Sequence, residues 1–254
     1  MKGAETASYS TAIGAEAMIE GKNQLKSVAV GGSAMRKGTH VSSVAVGYWS
    51  APNVSSEECV FIGDSSGYRN VQGDFLARKI TNSIAIGFNA RINGDNEIQI
   101  GKQGQTLYAP TAVNIRSDAR DKTDIAPLDI GLDFVKKLRP VTGVYDCRDA
   151  YADELFTDLP PEERAEKLRE WWQAPTKDGR YKEDRIQHWF IAQDVAALEA
   201  EYGKLPMVNC RMDTYTIEYE TFVPVLTKAI HEMSAQIDDL KKQIEELKND
   251  KMRA

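Results

Sequence analysis

One short phrase recurs along the N-terminal half of the chain and restricts what it can fold into. Thr11-Ala12-Ile13-Gly14, Ser27-Val28-Ala29-Val30-Gly31, Ser43-Val44-Ala45-Val46-Gly47, Cys59-Val60-Phe61-Ile62-Gly63, Ser83-Ile84-Ala85-Ile86-Gly87 and Glu97-Ile98-Gln99-Ile100-Gly101 are variants of one unit. Their glycines stand 17, 16, 16, 24 and 14 residues apart. Self-similarity at such a period marks a stack of coils, and each interval has room for one short strand, a return strand and the turns between them. The aliphatic pair of each unit, such as Val28/Val30 or Ile84/Ile86, sits two residues apart and so on one face of a strand. The following glycine supplies positive φ or close backbone approach at a corner. Two or three aliphatics per roughly sixteen residues cannot offset the ordering entropy of a narrow solitary solenoid. The stripes of several chains are therefore expected to face a common axis, which predicts an oligomer.

The Ser-x-Ala-x-Gly phrase resembles the left-handed β-roll head repeats of trimeric bacterial adhesins, which also occur in phage fibres. The resemblance implies a homotrimer with one stripe per chain turned inward. Left-handed acyltransferase coils also use small aliphatics, but their period is six, and a suitably placed histidine is missing here. The long interval from Gly63 to Gly87 carries Tyr68, Phe75, Leu76, Arg78 and Lys79. It reads as a protruding loop for contact with a host surface receptor, or equally as a packed insertion without a ligand. Tyr48-Trp49 admits the same two readings. Beyond Gly101, Thr111-Ala112-Val113-Asn114-Ile115 alternates like one last strand.

The pattern then changes at Arg116-Ser117-Asp118-Ala119-Arg120-Asp121-Lys122-Thr123-Asp124-Ile125. A hydroxyl nucleophile, Ser117, and an amine base, Lys122, lie in one segment, and a Ser/Lys pair is one way to hydrolyse a peptide bond without histidine. On residue types alone, a solvated linker with turn and capping chemistry is the stronger reading. The blocks that follow reverse this preference. The spacing Ser-Asp-x-Arg-x-Lys-x-x-Ile resembles the start of the C-terminal intramolecular chaperone domain of phage tailspikes and tail fibres, the S74 type of self-cleaving domain. Leu132 to Val141 resembles that family's first helix and its exit, and Trp189-Phe190-Ile191-Ala192-Gln193-Asp194-Val195 its strand-to-helix element. Tyr215 to Tyr219, then Phe222 and Leu226 to Glu232, resemble its last strand and long terminal helix. The likeness runs from about residue 115 onward and departs from the family pattern between about 148 and 187.

The resemblance implies cleavage of the Arg116–Ser117 bond by a single-turnover serine endopeptidase acting on its own chain. Ser117 is then the nucleophile and Lys122 the general base, which must be neutral to act, so trimer assembly is expected to desolvate it. Asp118 and Arg120 are read as shaping the turn or pairing across chains.

In the C-terminal half, Asp129 to Leu138 shows helical spacing that stops at Arg139-Pro140, and Val141 to Asp146 alternates as a strand. Pro160-Pro161-Glu162 opens a helix that reaches Trp171-Trp172, tryptophans suited to packing that helix or to gripping a partner. His188 to Ile191 reads as a strand, Gln193 to Tyr202 as a helix, and Met207 to Asn209 with Tyr215 to Glu218 as a hairpin. Val223, Leu226, Ile230, Met233, Ile237, Leu240, Ile244 and Leu247 alternate by three and four, a coiled-coil seam within 223–250. Those core residues lean towards two strands, whereas the repeats and the family imply three; three is the expectation.

The net charge of −6 and the lack of a basic tract interleaved with aromatics argue against nucleic acid as a partner. Three scattered cysteines (Cys59, Cys147, Cys210) and three scattered histidines (His40, His188, His231) suit neither a disulfide framework nor a metal site, so no metal and no cofactor is assigned. The N-terminus lacks an apolar signal region, no stretch approaches a membrane span, and the abrupt start suggests a fragment of a longer protein. The expected architecture is α+β and homotrimeric: left-handed β-roll or β-helix-like repeats over 1–116, then a mixed α/β chaperone over 117–254 ending in a coiled-coil helix. The expected role is a tail-fibre or tailspike segment, assembled in the host cytoplasm and carried on the virion, whose chaperone drives trimerisation and then cuts itself off. The alternative is a permanent trimeric receptor-binding adhesin that is never cut.

Overall fold

The computed structural model describes residues 6–70, 78–102, 105–203, 205–211 and 214–253. Phe75 and Leu76 of the expected loop lie outside them. The chain packs as two compact units, Met1–Pro110 with Val144–Arg185, and Thr111–Gly143 with Ile186–Ala254. This division differs from the 1–116 and 117–254 boundary read from the sequence, because residues 144–185 pack with the repeats.

The repeats form a β-solenoid with two strands per coil. One parallel sheet orders β1 (Thr6–Ser8), β3 (Glu20–Leu25), β5 (Lys37–Val41), β7 (Ser55–Glu57) and β9 (Lys79–Thr81). The other holds β2 (Thr11–Ile13), β4 (Val28–Val30), β6 (Val44–Val46), β8 (Val60–Ile62), β10 (Ile84–Ile86) and β11 (Ile98–Ile100). Like residues stack in this second sheet: Val28 pairs with Val44, Val44 with Val60, Val60 with Ile84 and Ile84 with Ile98. The middle residue of each phrase points inward, so Ala29, Ala45, Phe61 and Ala85 are fully buried. The aliphatic pair points out, and Ile13, Val46, Ile62, Ile86, Ile98 and Ile100 remain exposed.

Two devices hold the coils in register. A Cβ at Gly47, where φ is 134°, would stand 2.5 Å from the Gly63 carbonyl oxygen, so only glycine admits this coil spacing. Buried Ser27, Ser43, Cys59 and Ser83 form a ladder in which each side chain donates to the carbonyl two residues back. The Ser27 and Ser43 oxygens also accept the backbone N–H of the next member, Ser43 at 3.3 Å and Cys59 at 3.2 Å. The serine of the phrase thus satisfies buried backbone donors between strands, and Cys59 is one of its rungs. Phe61 occupies an alanine column, and Gly67 leaves the room its ring needs.

The opposite wall is more polar. Gln24, His40 and Ser56 are stacked and buried on consecutive strands. His40 Nδ1 lies 2.8 Å from Ser56 Oγ and its Nε2 3.0 Å from the Lys37 carbonyl oxygen. Burial pushes the His40 pKa down to about 4.

Residues 144–185 contribute α2 (Arg148–Glu154), which the sequence reading did not anticipate, and α3 (Pro161–Gln173). Ala152, Leu168 and Trp172 form their shared core, with Arg148 stacked 4.3 Å over the Trp172 ring. Trp172 is thereby consumed in packing.

The second unit joins α1 (Leu132–Lys137), β12 (Pro140–Gly143), β13 (Gln187–Phe190), α4 (Ala192–Tyr202), β14 (Val208–Arg211), β15 (Thr214–Ile217) and α5 (Phe222–Arg253). β12 and β13 pair antiparallel, so residues 144–186 are the greatly enlarged connection of one hairpin. Ile130, Phe134, Val195, Leu198, Met207, Phe222 and Val225 build its core. Glu232 of α5 accepts the Leu132 N–H at 2.8 Å, which holds its carboxyl below the usual range and caps α1. Of α5, Phe222 and Val225 belong to this core and Ala229 is also buried, while the eight seam residues from Val223 to Leu247 are exposed. Among the described residues, no helix is long and apolar enough to cross a membrane.

The strand expected at Thr111–Ile115 is absent. The segment is irregular and pairs with no strand, and Val113 and Ile115 are exposed. Alternation alone does not make a strand when no neighbouring edge is within reach of its N–H and C=O groups.

Candidate functional site

Arg116 and Ser117 lie in exposed backbone outside any helix or strand. A single 3₁₀ turn over Ala119–Asp121 follows, capped by Asp118, whose Oδ1 accepts the Arg120 N–H at 2.9 Å. The turn is closed by the Asp121 N–H to the Asp118 carbonyl and the Lys122 N–H to the Ala119 carbonyl, at 3.1 and 3.2 Å. This reversal folds Lys122 back over Ser117, and the lysine Nζ donates to Ser117 Oγ at 2.6 Å. Two residues five apart are thus brought into contact by a turn that the intervening Ser-Asp-x-Arg pattern encodes.

Asp118 and Arg120 are occupied with each other. The guanidinium makes a fork to the carboxylate, with Nε to Oδ1 at 3.1 Å and Nη2 to Oδ2 at 2.6 Å. That fork, helped by the backbone donor, holds the Asp118 carboxyl below the usual range and raises the Arg120 pKa in return. Of the two roles read from the sequence for this pair, turn-shaping is the one seen within a single chain.

The chemistry available is that of an alcohol with an amine in hydrogen-bond contact next to an exposed peptide bond. For the amine to act as base it must lose its charge and accept from the hydroxyl, which requires a drier setting than this exposed loop. No group of three or more His, Cys, Asp or Glu side chains is placed to hold a metal among the described residues.

The basic residues of the long interval are engaged within the unit. Arg78 donates to the Asn93 carbonyl at 3.3 Å, Lys79 pairs with Glu57, and Arg69 donates to Asp153 at 3.3 Å. Tyr68 is half-buried, edge-on to Trp49 at 5.2 Å, and Tyr48 stays exposed. The Arg69–Asp153 contact spans 84 residues. No local pattern announces it, and the sequence reading missed it.

Residues 117–159 match the Peptidase_S74 family, described as chaperone of endosialidase. The matched segment begins at Ser117. No curated protein and no solved structure matches the chain.

Proposed function

We propose that this chain is a phage tail-fibre or tailspike segment whose C-terminal part, from Ser117 on, is an intramolecular chaperone that trimerises the fibre and then cuts the Arg116–Ser117 bond. The observation that carries the reading is the 2.6 Å contact between Ser117 and Lys122 at the first residue of the family match.

Two exposed apolar faces support assembly. One is the outward stripe of the second solenoid sheet, the other the seam of α5, and both lack cover in a single chain. Three copies bring the stripes around one axis and the seams into a coiled coil. Joining the chains at α5 raises the local concentration of the shafts and sets their register, which near-identical coils cannot set for themselves.

In the cutting step, Lys122 takes the Ser117 hydroxyl proton as Oγ attacks the Arg116 carbonyl carbon. The carbon–nitrogen bond to Ser117 then breaks, and the nitrogen leaves as an amine carrying the proton relayed from Lys122. The resulting ester between Arg116 and Ser117 Oγ is hydrolysed by water to an Arg116 carboxylate and a free hydroxyl. Assembly supplies the dry setting that discharges Lys122, so cutting follows correct folding. The exposed Tyr48 beside Trp49 is the place on the shaft for contact with a host surface receptor, and the mature shaft belongs to the virion.

The test is the intact mass of freshly expressed protein beside Ser117→Ala and Lys122→Ala. The parent is expected to split between Arg116 and Ser117 while both variants stay whole. A parent that assembles and stays whole would sink the protease reading and leave a permanent adhesin.

A further inference from the structure

The α2–α3 insert is encoded after Ser117 yet packs in the same compact unit as the shaft, which is encoded before it. Its contact with the shaft is specific. Asp153 of α2 accepts from Arg91 at 2.5 Å and from Arg69 at 3.3 Å through Oδ1, and from Asn89 at 3.3 Å through Oδ2. Arg91 is only 5% exposed, so its charge is removed from water and depends on partners such as this carboxylate. Burial pushes the carboxyl of Asp149, one turn earlier on α2, above the usual range, and the Arg91 charge partly offsets this.

The carboxylate is held rigidly for this contact. Arg164 of α3 is buried and donates to the Ala152 carbonyl at 2.7 Å and the Leu155 carbonyl at 3.1 Å, fixing the end of α2 that carries Asp153. A positioned carboxylate that accepts from two arginines and an asparagine, one of the arginines desolvated, is the geometry of a slow-dissociating contact.

We infer that the α2–α3 insert is a clasp that keeps everything downstream of residue 116 attached to the shaft once the chain is cut, with Asp153 as its central group. The partner of this surface is the chain's own shaft, recognised through Arg69, Asn89 and Arg91. Scission then severs the covalent link without freeing the chaperone, and departure requires the insert to leave the shaft as a separate step. This rests on the proposed cutting at Arg116–Ser117 for its biological occasion, but the contact itself does not.

The experiment uses the full chain carrying Ser117→Ala, an N-terminal affinity tag, and a recognition sequence for a site-specific protease placed between Tyr108 and Thr111, in the exposed segment. After cutting with that protease under native conditions, the C-terminal piece is expected to stay on the affinity resin with the tagged shaft. In the Asp153→Ala background it is expected to dissociate roughly a hundredfold faster, with Asp153→Asn between the two and Arg69→Ala weakening retention from the shaft side. Size exclusion and circular dichroism of the uncut variants check that each has folded like the parent. Prompt loss of the piece from the parent, or equal retention by the parent and the Asp153 variants, would overturn the clasp. Because the cut is made by an added protease, that outcome is separate from any failure of self-cleavage.

Discussion

At the scale of single residues, the shaft's interior sets a pH limit that its outward surface does not reveal. His40 is buried between Ser56 and the Lys37 carbonyl, and its pKa falls to about 4 because burial disfavours the imidazolium. In the unfolded chain the same ring binds a proton near the ordinary histidine value of about 6.5. The folded form therefore has its full His40 contribution above pH about 6.5 and loses it progressively as the pH falls from there to about 4. At pH 5 the loss amounts to roughly 2 kcal/mol. Urea unfolding of the Ser117→Ala chain, followed by circular dichroism at pH 7 and pH 5, is expected to show this drop, and His40→Gln is expected to flatten it. An unchanged difference in the Gln variant would assign the pH dependence elsewhere. Nothing in Lys37-Gly38-Thr39-His40-Val41 marks that ring as interior, since a lone histidine in a strand belongs to either face until register is known. The serine ladder was just as opaque: the recurrence of Ser27, Ser43 and Ser83 was plain, but its use as an acceptor between coils requires knowing which strands are neighbours.

At the scale of elements, periodicity carried most of the information, and long-range docking carried none that a sequence displays. The aliphatic pairs two apart, closed by glycine, implied one strand of each coil with the pair on one face, and the strand is there, but its core face is the opposite one, formed by the middle residues Ala29, Ala45, Phe61 and Ala85. The three-four spacing from Val223 to Leu247 correctly implied one long helix, α5. Thr111–Ile115 misled because its alternation has no sheet edge to join within the chain. The hairpin between β12 and β13 was legible as two strands, but its 144–186 connection folds against residues far upstream, through Asp153, by contacts that only the assembled shaft creates. α5 itself exposes a physical tension. From Met233 to Met252 every residue is exposed in the single chain, and exposed ion pairs such as Lys241 with Asp238 offer only about 0.3–0.5 kcal/mol each. A helix this long on such terms needs the seam to be covered. Ile237→Lys, at mid-seam, is therefore expected to shift the sedimentation of the Ser117→Ala chain from an oligomer towards the monomer and to lower its helical ellipticity. An oligomer of unchanged mass in that variant would remove α5 from assembly.

At the scale of the whole molecule, the proposed chaperone role means that the two halves need each other at different times. The solenoid is a column of coils that look alike, with alanine, glycine and serine repeating on the same positions, so a slip by one coil replaces most contacts with equivalent ones and register is weakly defended from within. Pairing across chains adds loop-closure entropy that a nucleus at one end removes by holding the chain ends together. Once the coils are stacked, backbone hydrogen bonds such as Val28 N–H to the Ser43 carbonyl and Val44 N–H to the Cys59 carbonyl tie each to its neighbour, and on the proposed reading the column no longer depends on what began it. This asymmetry predicts hysteresis. A self-cleaved sample unfolded in guanidinium and then diluted is expected to recover little protease-resistant shaft, whereas the uncut Ser117→Ala chain, which keeps α5 covalently attached, is expected to recover most of it. The native cleaved shaft should nevertheless unfold as slowly as the uncut one, since the contacts that resist unfolding lie in the coils, and a cut made after assembly changes only the path back. Equal recovery by both samples would mean that the coils find register unaided, and the segment beyond Ser117 would then have no chaperone role to perform.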